Sequence, residues 1–188
     1  MGLKLSPAKQ VFSCPIFKVN EAIVTAENGA TMPINTLDFV PWVNVVPVTA
    51  SGEIVLIEQL RFGTNSPIWE TPGGAVEPTE KDLTMAALRE LEEETGLTTQ
   101  RILALPGYFP NPAIQGNRIT FFLAFDVQPL QEPRHHNDPF EVVTTKIVPA
   151  ENAFEMARTG QIQHALCVLA LLLAEPYIKS RKFCSSCV

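Results

Sequence analysis

Short apolar segments separated by turn residues dominate the chain and predict a mostly β core. "WVNVVPVT" (42–49) and "EIVLIEQLRF" (53–62) are β-branched and apolar and are joined by "ASG", which predicts two paired strands. The segments "RILALPGYF" and "RITFFLAFDV" predict two more strands around the loop "PNPAIQGN", and "FEVVTTKIV" predicts another. Residues 16–40 predict short strands with a hairpin at Asn28-Gly29, because such a turn needs positive φ.

A helical pattern interrupts these strands in the middle of the chain and again near its end. Residues 83–95 predict a helix with Ala86, Ala87 and Leu91 on its apolar side, capped by Asp82 or Thr79 and ended by Gly96. "AENAFEMARTG" predicts a second helix, and "IQHALCVLALLLA" predicts a third that stops before Pro176. This order indicates an α+β fold rather than the regular βαβ alternation of a parallel nucleotide-binding sheet.

The length and composition predict one main domain with a small appendage. With 188 residues, we expect a β extension at 1–40, a main domain at 41–178 and a flexible tail at 179–188. The tail holds Cys184 and Cys187, a lone CxxC that is half of a zinc site and more simply part of a frayed end.

Charge and hydropathy limit the partners. A net charge of -6 argues against binding nucleic acid through its phosphates. The most apolar run, 165–174, is too short to span a bilayer, so we expect no membrane association. We therefore expect a soluble, cytoplasmic protein.

The helix 83–95 carries the first candidate chemistry. In "RELEEETGL" the side chains of Glu90, Glu93 and Glu94 fall at i, i+3 and i+4, so they share one face and repel each other. They also lie toward the C-terminal end of the helix, where the dipole disfavours anions. Clustered hard oxygen ligands suit Mg²⁺ or Mn²⁺, although an acidic helix is also typical of a solvated surface. Gly73-Gly74, just upstream, permits close approach of the backbone to a ligand and leaves carbonyl groups available to it.

The stretch "GGAVEPTEKDLTMAALRELEEETGL" resembles the Nudix box, the loop–helix–loop of hydrolases that act on nucleoside diphosphates linked to another group. The positions of its second half match throughout: Arg89, Glu90, Leu91, Glu93, Glu94, Gly96 and Leu97. In its first half Gly74 and Glu80 match, but eight residues separate Glu80 from Arg89 instead of seven. This extra residue leaves the role of Glu80 open.

The resemblance implies a fold, a cofactor and a set of roles. The fold would be mixed β-sheets sandwiched by helices, and the cofactor would be Mg²⁺ or Mn²⁺, with two or more ions in each site. Glu90 and Glu94 would be the principal ligands, Glu93 would share or bridge a second ion, and the carbonyl of Gly73 would complete the site. Arg89 would orient the glutamates through an ion pair. Of these, Glu93, Glu94 and Arg89 are the candidate catalytic residues.

The similarity extends to the ADP-ribose and nucleoside-diphosphate-sugar pyrophosphatases of that family. "IEQLRFG" and "IWETPGGAVE" match it with Arg61 at a substrate-contacting position and Glu70 nearby, and "GYFPNPAIQGNR" matches its proline loop through Pro112. The N-terminal strands are similar to its small dimerisation domain, which implies a homodimer. Asn117-Arg118 departs from the subfamily's Glu-Arg, and this difference weakens the expectation of a strict ADP-ribose preference.

The subfamily places its general base in a loop after the box, here 130–141. The candidates are Glu132, His135, His136, Asp138 and Glu141, of which we favour Glu141 or Asp138. Two alternatives remain: a Nudix hydrolase of nucleoside triphosphates or dinucleoside polyphosphates, and a non-catalytic sensor that binds ADP-ribose.

Overall fold

The computed structural model describes residues 2–132 and 142–184, with side chains up to residue 180. These residues form two compact units. The first comprises the described chain up to Pro41 together with Tyr108–Ile119, and the second comprises Trp42–Gly107 and the described residues from Thr120 onward.

An antiparallel sheet makes up the N-terminal unit. Strand β3 is the common partner of the other three strands. It pairs with β4 along its full length, with β2 through residues 18–21 and with β1 through residues 24–25. The β3–β4 connection is the predicted hairpin, with Gly29 at φ 84°. The first two strands were missed by the sequence patterns, which predicted strands only from residue 16. The bounds are β1 Lys4–Leu5, β2 Lys9–Ser13, β3 Lys18–Thr25 and β4 Thr31–Asp38.

The segment 108–119 also belongs to this unit, whereas the sequence patterns placed it within the main domain 41–178. The backbone N–H of Leu37 donates to the carbonyl of Ile114 over 2.7 Å, and Asn117 Nδ2 donates to the carbonyl of Val40 over 3.3 Å. Sequence separation concealed this association, because the contacts join residues about 77 positions apart.

The second unit is built on a sheet in the order β10-β11-β5-β6-β13, with β7 paired to β6 and β8 paired to β5. Its central strands are apolar on both faces, with Val45, Val46, Ile54 and Leu56 fully buried. A separate pair joins β9 to β12. The bounds are β5 Trp42–Val48, β6 Glu53–Arg61, β7 Ser66–Glu70, β8 Gly73–Ala75, β9 Leu97–Thr98, β10 Arg101–Tyr108, β11 Ile119–Phe125, β12 Gln128–Pro129 and β13 Val143–Pro149.

Three helices lie within the described residues: α1 Leu83–Thr95, α2 Ala150–Arg158 and α3 Ala165–Cys184. Helix α1 has the predicted bounds. Asp82 caps it by accepting the N–H of Thr84 over 2.8 Å, and Gly96 ends it at φ 69°. Its buried side packs on β5, as does α3, while α2 packs on β13 and α3. The predicted α+β fold is thus confirmed.

Helix α3 continues through Pro176, so the predicted stop before this proline is wrong. Residues 179–184, which we expected in a flexible tail, are helical. The cost of an interior proline is offset by packing and charge: Ile178 is buried, and Glu175 pairs with Arg158 of α2 and, over 2.7 Å, with Lys179. None of the helices in the described part of the chain combines the length and apolar character that a membrane span requires.

Candidate metal and substrate site

The acidic face of α1 is hydrogen-bonded to strand β8. The side chains of Glu90 and Glu93 are mostly buried, at 12% and 21% exposure. Glu94 Oε2 accepts the backbone N–H of Gly73 over 2.8 Å. The helix and the glycine turn, adjacent in sequence but separated by a loop, therefore meet at one place, as the spacing predicts.

Arg89 holds the glutamates of this face. Its Nη1 lies 2.9 Å from Glu90 Oε1 and 2.9 Å from Glu93 Oε2, and its Nη2 donates to the carbonyl of Ala75 over 3.0 Å. The guanidinium is 15% exposed, and its hydrogen bond with Glu80, aided by Glu90 and Glu93, outweighs burial and raises the pKa of Arg89. A guanidinium has five N–H groups and can serve these partners and Glu80 at once, whereas a lysine ammonium has only three N–H groups.

Glu80 lies on the same guanidinium despite the extra residue in the loop. Arg89 Nε donates to Glu80 Oε1 over 2.9 Å, and Nη2 donates to Oε2 over 3.2 Å. Glu80 Oε2 also accepts the N–H of Glu77 over 2.8 Å, which closes the turn before the helix. The arginine bond lowers the pKa of Glu80. Glu80 thus ties the loop to Arg89, a role that the spacing left open.

Gly73 and Gly74 pack so closely against their neighbours that a side chain at either position would collide with them. A Cβ on Gly73 would collide with the carbonyl of Val43 and come within 2.8 Å of Asn44 Cα, both on β5. A Cβ on Gly74 would lie 2.5 Å from Glu90 Oε1. Because Gly74 has no side chain, the Glu90 carboxylate can occupy the space beside the turn.

This donor set fits a hard divalent cation. Carboxylates and carbonyl groups are the ligands that Mg²⁺ and Mn²⁺ prefer. Here three carboxylates converge on one helix face, a single arginine orients two of them, and the turn beside Glu90 is kept free of side chains. An ion at this face would convert the mutual repulsion of the glutamates into attraction.

Arg61 on β6 and Glu70 on β7 form a second feature, a bidentate ion pair. Arg61 Nε donates to Glu70 Oε1 over 2.7 Å, and Nη2 donates to Oε2 over 2.6 Å. Glu70 is buried, whereas the side chain of Arg61 remains 39% exposed. Burial opposes ionisation of Glu70, but the bonds from Arg61 and His164 prevail and lower its pKa to about 2. Glu70 thus fixes an accessible guanidinium in place.

His164 and Cys167 complete the surroundings of Glu70, and sequence reasoning missed both. His164 Nδ1 lies 3.0 Å from Glu70 Oε2 and 3.1 Å from Cys167 Sγ. Two hydrogen bonds raise the pKa of His164 to about 10: the bond with Cys167 has the larger effect, and the bond with Glu70 the next largest. The signal in the sequence was "HALC", which puts His164 just before the first residue of α3 and Cys167 in its first turn, but their partner Glu70 is 94 residues from His164.

The remaining predicted residues belong to the N-terminal unit or lie at or beyond the edge of the described residues. Pro112 is in the segment that groups with the N-terminal strands. Glu132 is exposed at the end of the described residues, and His135, His136, Asp138 and Glu141 lie beyond them. The preference for Glu141 or Asp138 as the base therefore stays a prediction.

With this geometry in place, comparison with known proteins settles the family. The family model for the NUDIX domain matches residues 38–169, and this chain belongs to that family. The resemblance of the box is thereby confirmed.

Relatives of known name and a solved structure agree with this assignment. The ADP-ribose pyrophosphatase of Bacillus subtilis (strain 168) is 28% identical over 163 residues, which cover 87% of each chain. The ADP-ribose pyrophosphatase of Mycobacterium tuberculosis (strain ATCC 25618 / H37Rv) is 22% identical over 84% of this chain and 75% of its own. The crystal structure of an ADP compounds hydrolase superposes with a TM-score of 0.83 over 96% of each chain at 21% identity, which shows that the fold is shared.

Proposed function

We propose that this chain is a metal-dependent pyrophosphohydrolase that splits ADP-ribose, or another nucleoside diphosphate sugar, into a nucleoside monophosphate and a sugar phosphate. The observation that carries the proposal is the part-buried carboxylate face of α1, braced by Arg89 and bonded to Gly73. Two relatives named ADP-ribose pyrophosphatase, one matched over 87% of its length, support the substrate class.

The cofactor is Mg²⁺ or Mn²⁺, with two or more ions in the site. Glu90 and Glu94 would hold it, together with Glu93 and the carbonyl of Gly73. When bound, such cations would neutralise diphosphate charge and would lower the pKa of water in the site.

The chain's own residues bind, orient and accept the proton. Arg61 presents its exposed guanidinium to an anionic group of the substrate while Glu70 keeps the fork in one orientation. Arg89 holds Glu90 and Glu93 in place throughout. Water adds to one phosphorus, the bridging P–O bond breaks, and the water proton passes to a carboxylate. That base is Glu141 in our proposal, with Asp138 as its alternative.

Glu94→Gln tests the metal role. Outer-shell residues of metal sites change affinity or activity by about 10- to 100-fold, so loss of a ligand charge should reduce turnover by at least that much while thermal unfolding stays close to wild type. Release of nucleoside monophosphate measures the effect. Glu92→Gln is the control, because Glu92 points to Thr98 Oγ1 at 2.8 Å instead of the acidic face. Equal activity of the wild type and Glu94→Gln would rule out the role.

A substrate panel separates the proposal from its alternatives. ADP-ribose, other nucleoside diphosphate sugars, nucleoside triphosphates and dinucleoside polyphosphates are each incubated with Mg²⁺ and with Mn²⁺, and the products are resolved by chromatography. The proposal expects the fastest turnover among the sugars. Faster cleavage of triphosphates or polyphosphates would make this another kind of Nudix hydrolase. Metal-dependent binding of ADP-ribose without any product would make it a sensor.

We also propose that the protein acts in the cytoplasm as a homodimer joined through the N-terminal sheet. Several large apolar side chains of this sheet are exposed, and exposed apolar surface can mark a protein–protein contact. Examples are Leu5, Val11, Phe12 and Met32. We expect a dimer by sedimentation equilibrium and a shift toward monomer in Val11→Asn/Phe12→Asn. The exposed pair Val142→Asn/Tyr177→Asn, both in the second unit, is the matched control. A monomeric wild type would contradict this proposal.

A further inference from the structure

Three chemically different metal-binding side chains meet beneath Arg61, apart from the carboxylate face of α1. Glu70, His164 and Cys167 each place one donor atom within 4.8 Å of the other two. The Cys167 Sγ lies 3.1 Å from His164 Nδ1 and 4.0 Å from Glu70 Oε2, and His164 Nδ1 lies 3.0 Å from the same oxygen. We call these three residues the Glu-His-Cys cluster.

These separations are close to the edges of a zinc tetrahedron. Bond lengths of about 2.3 Å to sulfur and 2.0–2.1 Å to nitrogen or oxygen put neighbouring ligand atoms roughly 3.3–3.6 Å apart. Each of the three observed separations lies within about 0.4 Å of that range. We propose that the Glu-His-Cys cluster is a binding site for Zn²⁺ or a similar borderline-soft divalent ion.

Two partners compete for one ring nitrogen in this cluster, although the Cys167 thiol also lies 3.9 Å from the carbonyl of Thr71. Both Glu70 and Cys167 contact the same ring nitrogen, Nδ1 of His164. A ring nitrogen carries at most one hydrogen, so it can make one good bond and must share that hydrogen with the second partner. An ion ligated by all three atoms satisfies each of them in a separate direction.

Outer-shell partners for two of the ligands are already in place. Arg61 donates to both oxygens of Glu70, and Asn44 Nδ2 lies 3.7 Å from Cys167 Sγ. Asn44 is itself fixed by the Thr71 hydroxyl, which donates to its Oδ1 over 2.7 Å. In protein metal sites, hydrogen bonds of this kind orient the residues that bind the metal directly and tune the basicity of those residues.

Charge and access are also compatible with an ion. The Glu70 carboxylate supplies negative charge to the cluster, and a thiolate, the form in which cysteine binds metal ions, would supply a second negative charge. Glu70 and Cys167 are buried, whereas the His164 side chain is 38% exposed. A water reaching the ion from the side of His164 can fill a fourth position, as in zinc sites with three protein ligands.

The donor set separates this site from the carboxylate face of α1. Thiolate and imidazole select Zn²⁺ over Mg²⁺, whereas carboxylates and carbonyl groups also suit Mg²⁺ and Mn²⁺. The two sites can therefore take different ions in one molecule. This inference goes beyond the proposed hydrolase activity and does not depend on it.

Co²⁺ titration tests the site, because a cobalt–thiolate bond gives a charge-transfer band in the near ultraviolet that carboxylate ligands cannot give. The background is Cys184→Ser/Cys187→Ser, which removes the C-terminal CxxC. We expect a band that saturates at one Co²⁺ per chain and is reversed by Zn²⁺. It should disappear in Cys167→Ser and persist in Cys14→Ser and in Glu94→Gln. Absence of the band, or its survival in Cys167→Ser, would overturn the proposal.

Zn²⁺ affinity gives a second measurement, with variants that keep the thiol. Competition with a chromophoric chelator is expected to show at least a tenfold weaker site in His164→Gln than in the same background with His164 intact. Far-ultraviolet circular dichroism checks that the variant folds. Equal affinity would contradict the site even if Cys167→Ser fails to fold. A hydrolase that turns over normally yet binds no Co²⁺ or Zn²⁺ here would separate failure of this inference from failure of the proposed function.

Discussion

At the residue scale, the two glycines of the turn have different tasks. Gly73 lies against the backbone of β5, which cannot move without breaking the sheet, whereas Gly74 lies against the end of a flexible side chain, Glu90. Backbone contacts therefore make the first glycine a requirement of the fold. The second is a requirement of the site.

Gly73→Ala and Gly74→Ala should separate these tasks. Overpacking against a fixed neighbour costs about 1–3 kcal/mol, so Gly73→Ala is expected to lower the free energy of unfolding by that amount in urea denaturation. Gly74→Ala should unfold nearly as the wild type does, because the Glu90 carboxylate can turn away, but it should need more Mg²⁺ for half-maximal turnover. The opposite pattern, with Gly74→Ala the less stable variant, would show that the distinction is wrong.

At the scale of the element, helix α1 concentrates like charges and one arginine neutralises them. The helix begins at a side-chain cap and ends at a left-handed glycine, so its bounds do not depend on the site. Its acidic face does depend on Arg89, which contacts Glu80, Glu90 and Glu93 together. All four of these side chains are at most 21% exposed.

Arg89→Ala should therefore destabilise the helix and its loop strongly in the absence of metal. Breaking a buried ion pair by removal of one partner costs about 3–5 kcal/mol, and the three glutamates would be left with less compensation. Urea denaturation in a chelator measures the loss. Mg²⁺ should restore a larger share of stability to Arg89→Ala than to the wild type, because the cation supplies part of the missing charge. A loss below about 1 kcal/mol would place Arg89 among ordinary surface ion pairs instead.

At the scale of the whole molecule, the Glu70–His164 contact joins β7 to the residue just before α3 and makes stability depend on pH. The folded state raises the pKa of His164 from 6.5 to about 10, so this contribution is fully present below about pH 6.5 and is lost as pH rises toward 10. The pKa of Glu70 is lowered from 4.5 to about 2, so its contribution is present above 4.5 and is lost as pH falls toward 2.

His164→Gln isolates the alkaline part of this dependence. With a chelator present, the free energy of unfolding of the wild type should fall more between pH 6.5 and 10 than that of the variant. The other titrating groups are common to both proteins and cancel in the difference. Parallel curves would mean that His164 holds no extra proton in the folded state.

The sequence by itself determined the parts of this protein that depend on near neighbours. The bounds of α1, its acidic face and the hairpin at Asn28-Gly29 follow from residues within a few positions of each other, because caps, helical periodicity and turn conformations are local. The α+β order could be predicted from the same patterns, and the family from the resemblance of residues 73–97 to the Nudix box.

Only the tertiary structure decided the contacts between distant segments. It placed Glu80 on Arg89 across the irregular loop, carried α3 through Pro176 on the strength of its packing, and brought His164 and Cys167 to Glu70. Chain separation explains the difference: Glu70 and His164 are 94 residues apart, and the way α3 packs on the sheet, rather than any local propensity, sets their 3.0 Å contact.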